Sequence, residues 1–234
     1  RGTDKPVLIK NPVNPDLALW LGAVERFYSC DVKNLGVIHR GFSTYEKTNY
    51  RNNPEWQIAI ELQNKFPDLP LILDPSHIAG RRDIIFDLCQ TALDLNYDGF
   101  MVETHHDPDN AWSDAAQQVT PSRLIEIIKD LKIRKITDHA DEYKSNLKNL
   151  RTKINLVDNQ LLDILGNRMN IAEEIGVLKK ENNVAVLQSK RWNEILGKMI
   201  LQGEKKGLSE EFVLRVFKAI HQESINHQES IFKE

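Results

Sequence analysis

The chain has 234 residues, of which 41% are hydrophobic and 28% charged, and its formal net charge is -3 at pH 7. Such a composition is typical of one large globular domain or two modest ones, and it gives no reason to expect binding to nucleic acid or to an anionic membrane. No apolar run reaches the ~20 residues that a membrane span needs, and two cysteines, Cys30 and Cys89, favour a reducing, cytoplasmic compartment over a disulfide scaffold.

The first half of the chain alternates predicted strands and helices. Continuously apolar runs typical of buried parallel strands lie at 6–10, 35–39, 70–74 and 99–103. Amphipathic stretches that predict helices lie at 15–28, 54–66, 82–95 and 121–131. Sequential βα units indicate either an α/β barrel or an open doubly wound sheet.

Each predicted strand is followed by polar or charged side chains. Exposed strand ends are often polar, but four in succession indicate a ligand site, because ligands bind at the carboxyl edge of parallel sheets. His77, Glu103 and Asp114 form a plausible set of nitrogen and oxygen ligands for Mn, Fe, Co or Zn. Lys10 and Arg40 would bind a phosphate or a carboxylate.

The second half of the chain predicts three helices and no strand. Apolar residues recur at intervals of three and four residues from 147 to 178. Further helical patterns run from about 187 to 204 and from Ser209 onward. A first helix of about forty residues would be about 60 Å long. Its apolar stripe therefore needs a partner, most simply a second copy of the chain. The charged segment at 132–143 is the predicted linker.

Basic residues interrupt this helical pattern, and solvated surface cations are their commonest explanation. Arg168 and Lys179, however, share one helix face and lie about 16 Å apart along the axis, so that both side chains could reach one small dianion. Arg151 is about 26 Å from Arg168 and could instead serve the equivalent site of a partner subunit. Arg191 lies on the second helix.

Amide and hydroxyl side chains accompany these cations at helical spacing. Gln188 precedes Arg191 by three residues, and Ser224 precedes Gln228 by four. The helical half contains no apparent nucleophile–base pair. Cations with amide donors suit a reaction that needs charge stabilisation and conformational restraint rather than proton transfer.

The segments KPVLIKN, LGVIHRGFSTYE, LPLILDPSHIAGRRD and DGFMVETHHDPDNAWSDAAQQVTP resemble the last four βα units of the type I DAHP synthases. That family of eight-stranded barrels condenses phosphoenolpyruvate with erythrose 4-phosphate. The resemblance implies that His77, Glu103 and Asp114 are metal ligands and that Lys10 and Arg40 bind phosphoenolpyruvate. The family's remaining ligand, a cysteine, belongs to the first strand, so we expect a truncated chain whose synthase portion needs the missing N-terminal half of the barrel.

The segments LRTKINLVDNQLLDILGNRMNIAEEIGVLKKENN and HQESINHQ resemble the all-helical chorismate mutases. These are intertwined dimers that convert chorismate to prephenate without a cofactor. The resemblance implies that Arg168, Arg191 and the partner subunit's Arg151 bind the two substrate carboxylates. Lys179 and Gln228 would donate to the ether oxygen, and Ser224 would line the pocket.

Two positions depart from the usual pattern of these mutases. Gln188 replaces an aspartate and Trp192 a glutamate, and those carboxyl groups contact the substrate hydroxyl in the family. Gln188 can still accept a hydrogen bond through its amide oxygen, whereas Trp192 cannot accept one.

The fold prediction is therefore α/β plus all-α, with the C-terminal half of a (β/α)8 barrel at 1–131 and a three-helix mutase domain at 144–234 that forms an intertwined homodimer. The functional prediction is a bifunctional enzyme of aromatic amino acid biosynthesis. Two alternatives stay open: a regulatory module that binds prephenate without turning chorismate over, and a coiled-coil dimerisation element whose cations are only solvated.

Overall fold

The computed structural model describes residues 3–45, 48–134 and 141–233, apart from the side chains of residues 189 and 190. The chain divides into two compact units, Arg1–Thr137 and Asp138–Glu234. The first unit contains four parallel strands, β1 (Val7–Lys10), β2 (Leu35–His39), β3 (Leu71–Leu73) and β4 (Gly99–Phe100). They pair in chain order without a reversal, which is the order of a barrel segment and not of a doubly wound sheet.

The helices of this unit lie between and after the strands as the amphipathic patterns predict. They are α1 (Leu17–Ser29), α2 (Trp56–Lys65), α4 (Ile85–Asp94) and α5 (Pro121–Asp130). The sequence sets two of their starts. The Asp16 side chain accepts from two backbone N–H groups at the start of α1, and Thr120 caps α5 with Pro121 in its first turn.

A short helix, α3 (Pro75–Ala79), follows β3 and was not predicted from the sequence. The prediction that Asp74 belongs to the strand is wrong. Asp74 caps α3 instead, and its side chain accepts from the backbone N–H of His77. Gly80 ends the helix with φ at 66°, and a Cβ there would lie 2.5 Å from the Arg51 Cβ. The helix places His77 one turn beyond the edge of the sheet.

One hydrophobic core holds the first unit together. Strands β2 and β3 lie at its centre, where Val37, Leu71 and Leu73 have no exposed surface, and α1 contributes Trp20 and Val24. Continuous burial of β2 explains why its sequence shows no polar alternation.

The second unit consists of α6 (Asp141–Glu181), α7 (Ser189–Glu204) and α8 (Glu210–Lys233). Helix α8 packs against both α6 and α7. Gly203 allows the close approach of α7 and α8, since a Cβ there would clash with a Val213 methyl group. The Ser209 hydroxyl accepts from the Phe212 N–H, as expected of a helix cap.

The predicted linker at 132–143 falls partly outside the described residues, and its last three residues form the first turn of α6. Within the described residues, none of the helices is both long and apolar enough to cross a membrane.

Candidate active sites

The carboxyl edge of the sheet gathers the predicted polar side chains of the first unit. Lys10 ends β1, and its ammonium group donates to the Asp74 carboxylate at 3.0 Å. Asp74 is only 1% exposed, so this pair and its hydrogen bonds hold the carboxylate in place. Arg40 follows β2, and its backbone N–H donates to Asn11.

His77 lies between two carboxylates. Its Nδ1 atom is 2.8 Å from an Asp74 oxygen, and its Nε2 atom is 3.6 Å from a Glu103 oxygen. In the tautomer with the proton on Nδ1, His77 would donate to Asp74 and present its Nε2 lone pair to a metal ion, which is the arrangement that carboxylates impose on metal-binding histidines.

Asp114 is held by Arg51, whose guanidinium donates to it at 2.7 Å. This hydrogen bond lowers the pKa of Asp114, so the carboxylate stays ionised. Arg51 also donates to Gln117, and Gln117 donates to Glu103 at 2.8 Å. The network thus connects Asp114 with Glu103, two of the three predicted metal ligands.

The donor chemistry of His77, Glu103 and Asp114 fits a divalent metal ion. Among the described residues, however, no group of three or more His, Cys, Asp or Glu side chains is arranged to hold one. Sequence reasoning missed Arg51 and Gln117, because neither stands at the end of a strand.

The helical unit contains a cavity of about 360 Å³ between its three helices. Six of the predicted chorismate-site residues line it together: Arg168, Lys179, Gln188, Arg191, Ser224 and Gln228. Apolar side chains from all three helices, and Val186 between α6 and α7, complete the wall. The lining of the described residues contains no Asp or Glu, so the cavity is electropositive and suits an anion.

Lys179 is positioned by two acceptors. Its ammonium group donates to the Val186 carbonyl at 2.6 Å and to the Gln228 Oε1 atom at 2.9 Å. Burial lowers the pKa of Lys179. Because the Gln228 oxygen is engaged, its amide N–H groups are left to donate toward a ligand.

Arg168 is oriented by Ser224, whose hydroxyl accepts from the guanidinium and donates to the Ile220 carbonyl at 2.7 Å. Burial also lowers the pKa of Arg168. Ser224 is 5% exposed, and it therefore supports the arginine from inside the helix packing.

Arg151, Arg191 and His221 differ in how they stand to this cavity. Arg151 is on α6 but not among the described residues that line this cavity. Arg191 lies 3.6 Å from Glu194, with a side chain 68% exposed. His221, a lining residue that sequence reasoning missed, stacks on Trp192 with ring centroids 3.9 Å apart. The sequence alone does not indicate a role for a single histidine on a helix; the packing shows that His221 lines the cavity.

Comparisons with known proteins match the two parts of the chain to two different families. The sequence model of the DAHP synthetase I family matches residues 1–142, and that of chorismate mutase type II matches residues 150–229. Phospho-2-dehydro-3-deoxyheptonate aldolase of Thermotoga maritima is 30% identical over 129 residues, which are 55% of this chain and 38% of the aldolase. The bifunctional chorismate mutase/prephenate dehydratase of Buchnera aphidicola subsp. Acyrthosiphon pisum is 32% identical over 83 residues, 36% of this chain and 22% of that protein.

A solved structure shows the same likeness in three dimensions. The crystal structure of the Thermotoga maritima DAHP synthase matches with a TM-score of 0.50 and 29% identity, covering 54% of this chain and 36% of the synthase. The chain therefore spans well under half the length of these relatives. It belongs to the DAHP synthetase I family and carries, after that region, a chorismate mutase type II domain.

Proposed function

We propose that the helical unit converts chorismate to prephenate. The observation that carries this proposal is the cavity in which Arg168, Lys179 and Arg191 converge without a carboxylate among the described lining residues. Chorismate carries two carboxylates, and a pocket lined by cations and amides complements that charge.

The reaction needs no proton transfer, because one C–O bond breaks and one C–C bond forms within a single molecule. Arg168 and Arg191 would bind carboxylates and hold the reactive conformation. The Lys179 ammonium and the Gln228 amide would donate to the ether oxygen as negative charge develops on it. The Lys179–Gln228 hydrogen bond supports this pairing, since it already brings both groups to one point.

The proposal includes a homodimer. Helix α6 exposes large apolar side chains along much of its length, including Ile154, Val157, Leu161 and Leu162, all more than half exposed. A second copy of the chain would cover them. It would also bring the partner subunit's Arg151 to the cavity that this chain's Arg151 does not reach.

The first unit supplies part of a DAHP synthase site in this proposal. Lys10 and Arg40 would bind phosphoenolpyruvate, and His77, Glu103 and Asp114 would hold a divalent ion of Mn, Fe, Co or Zn. Such an ion, when bound, polarises a substrate oxygen. Lys10 is preoriented by Asp74. The rest of the barrel would complete the site.

Both cysteines are free thiols, which supports a reducing, cytoplasmic location.

The test is the disappearance of chorismate in the presence of a chelator, measured for the wild type, Arg168→Ala and Lys179→Ala. We expect turnover that the chelator leaves unchanged and that each substitution lowers by roughly 100-fold or more, because each removes a charge that stabilises the transition state. Lys180→Ala is the matched control: this neighbour donates to the Ile231 carbonyl and does not line the cavity.

A folded chain that binds prephenate without consuming chorismate would contradict the enzyme proposal and favour a regulatory module. Turnover that survives in both variants would instead place the reaction elsewhere.

A further inference from the structure

Some of the side-chain acceptors that line the helical cavity already accept a hydrogen bond within the chain, and others do not. Gln228 Oε1 accepts from Lys179 and the Ser224 hydroxyl accepts from Arg168. Within the described residues, Gln188 and His221 are the lining side chains whose acceptor atoms have no such partner. These two residues are therefore the side chains of the described lining whose acceptor atoms are not already engaged, and they are the first candidates to accept from a hydroxyl group of a ligand.

His221 is the better placed of the two. It lies one turn before Ser224 on α8, so it faces the same end of the cavity as the Arg168–Ser224 pair. Its ring is held against the Trp192 indole at 3.9 Å and 25°. Gln188, in contrast, precedes the first turn of α7 and makes no side-chain capping bond, so its amide is less constrained.

The charge state of His221 suits an acceptor. Burial lowers the pKa of its imidazole, and the positive charges of Arg168 and Lys179 lower it further. The ring is therefore neutral at pH 7, with one nitrogen available to accept. Trp192 cannot accept, but its stacking fixes the plane of the imidazole.

We propose that His221, stacked on Trp192, accepts a hydrogen bond from the ring hydroxyl of chorismate and selects for hydroxylated over deoxygenated substrates. This inference rests on the proposed mutase function. It assigns to an imidazole on α8 a contact that the chain cannot make with a carboxylate, because the described lining contains none.

The experiment compares kcat/KM for chorismate and for its 4-deoxy analogue in the wild type and in His221→Leu. We expect His221→Leu to lower kcat/KM for chorismate about tenfold, since one hydrogen bond is lost. The value for the deoxy analogue should change less than twofold. His227→Leu is the matched control: it removes a histidine of the same helix that pairs with Glu173 at 2.7 Å and does not line the cavity, and it should leave the ratio of the two values unchanged.

Equal losses for both substrates would overturn the proposal, because they would reduce His221 to a shape-forming residue. The absence of any loss for chorismate in His221→Leu would overturn it as well. If the wild type does not turn chorismate over, the proposed function fails separately, and the dissociation constants of the same two compounds then give the same comparison. Failure of both compounds to bind would overturn both proposals.

Discussion

At the scale of single residues, burial decides the charge of two histidines in opposite parts of the chain. Burial, and after it the positive charges of Arg168 and Lys179, lower the pKa of His221, which borders the helical cavity and is therefore neutral at pH 7. His39 ends β2 inside the core, without exposed surface, and its Nδ1 atom lies 2.8 Å from the Tyr97 hydroxyl. Burial lowers the pKa of His39 to about 4, so the first unit folds around a neutral imidazole.

We expect this burial to make the first unit sensitive to acid. Unfolded His39 binds a proton below about 6.5, whereas folded His39 does so only near 4, so stability is lost as the pH falls through that window. The free energy of unfolding should fall by up to about 3 kcal/mol. Urea unfolding can be followed by the fluorescence of Trp20 and Trp56, whose rings lie 6.1 and 5.5 Å from His39.

In His39→Phe the acid-induced loss should be smaller by most of that amount, although the variant starts less stable without its bond to Tyr97. The exposed His106 gives the control substitution His106→Phe. If the free energy of unfolding falls equally with pH in the wild type and in His39→Phe, His39 is not the source of the acid sensitivity.

At the scale of helices, the position of the proposed donor pair depends on how closely α6 and α8 approach. Gly176 on α6 faces Gln228 on α8, and a Cβ at Gly176 would lie 3.2 Å from the Gln228 Cα atom. That is too close for an unshifted contact, so the glycine sets the distance between Gln228 and Lys179.

We therefore expect Gly176→Ala to move α8 by a few tenths of an ångström and to lower kcat/KM for chorismate about tenfold, because small displacements of catalytic groups are costly. Gly197→Ala is the control, since nothing lies within 4 Å of a Cβ there. It should leave turnover unchanged and stabilise the helix by roughly 0.5–1 kcal/mol. Steady-state kinetics and thermal unfolding would distinguish the two. Full activity in Gly176→Ala would mean that α8 has more freedom than the packing indicates.

At the scale of the whole molecule, the two units differ in how they bury apolar surface. The first unit has its own core, whereas α6 buries only Ala172 and Gly176 and leaves a long apolar stripe uncovered in one copy of the chain. The proposed dimer rests on this stripe of the 41-residue helix, because apolar surface of that extent is stabilised when another chain covers it.

We expect sedimentation to give twice the chain mass of 27.0 kDa. Placing a charge in the stripe with Leu161→Glu should shift the protein to the monomer and abolish mutase turnover, because the partner's Arg151 would be lost with the dimer. Asp158→Glu, a conservative change on the same helix, is the control. A monomeric wild type with full mutase activity would exclude the partner arginine from the site.

The order of the strands and of the longer helices, and the change from a βα half to a helical half, could be predicted from the chain alone, because strand periodicity, helical spacing and long motifs are local properties of a sequence. The sequence predicted Lys179, Arg168 and Gln228 as site residues from spacing and from resemblance, and in the structure all three line one cavity. It did not reveal α3, the Arg51–Gln117 network or the placement of His221 against Trp192. The network and the His221–Trp192 stacking arise from contacts between segments distant in the chain, such as the 2.7 Å bond from Arg51 to Gln117. Helix α3 instead begins at a local cap, Asp74, which the prediction had assigned to the strand. Only the packed structure decides which side chains share a surface, because burial and approach distance depend on every neighbouring element at once.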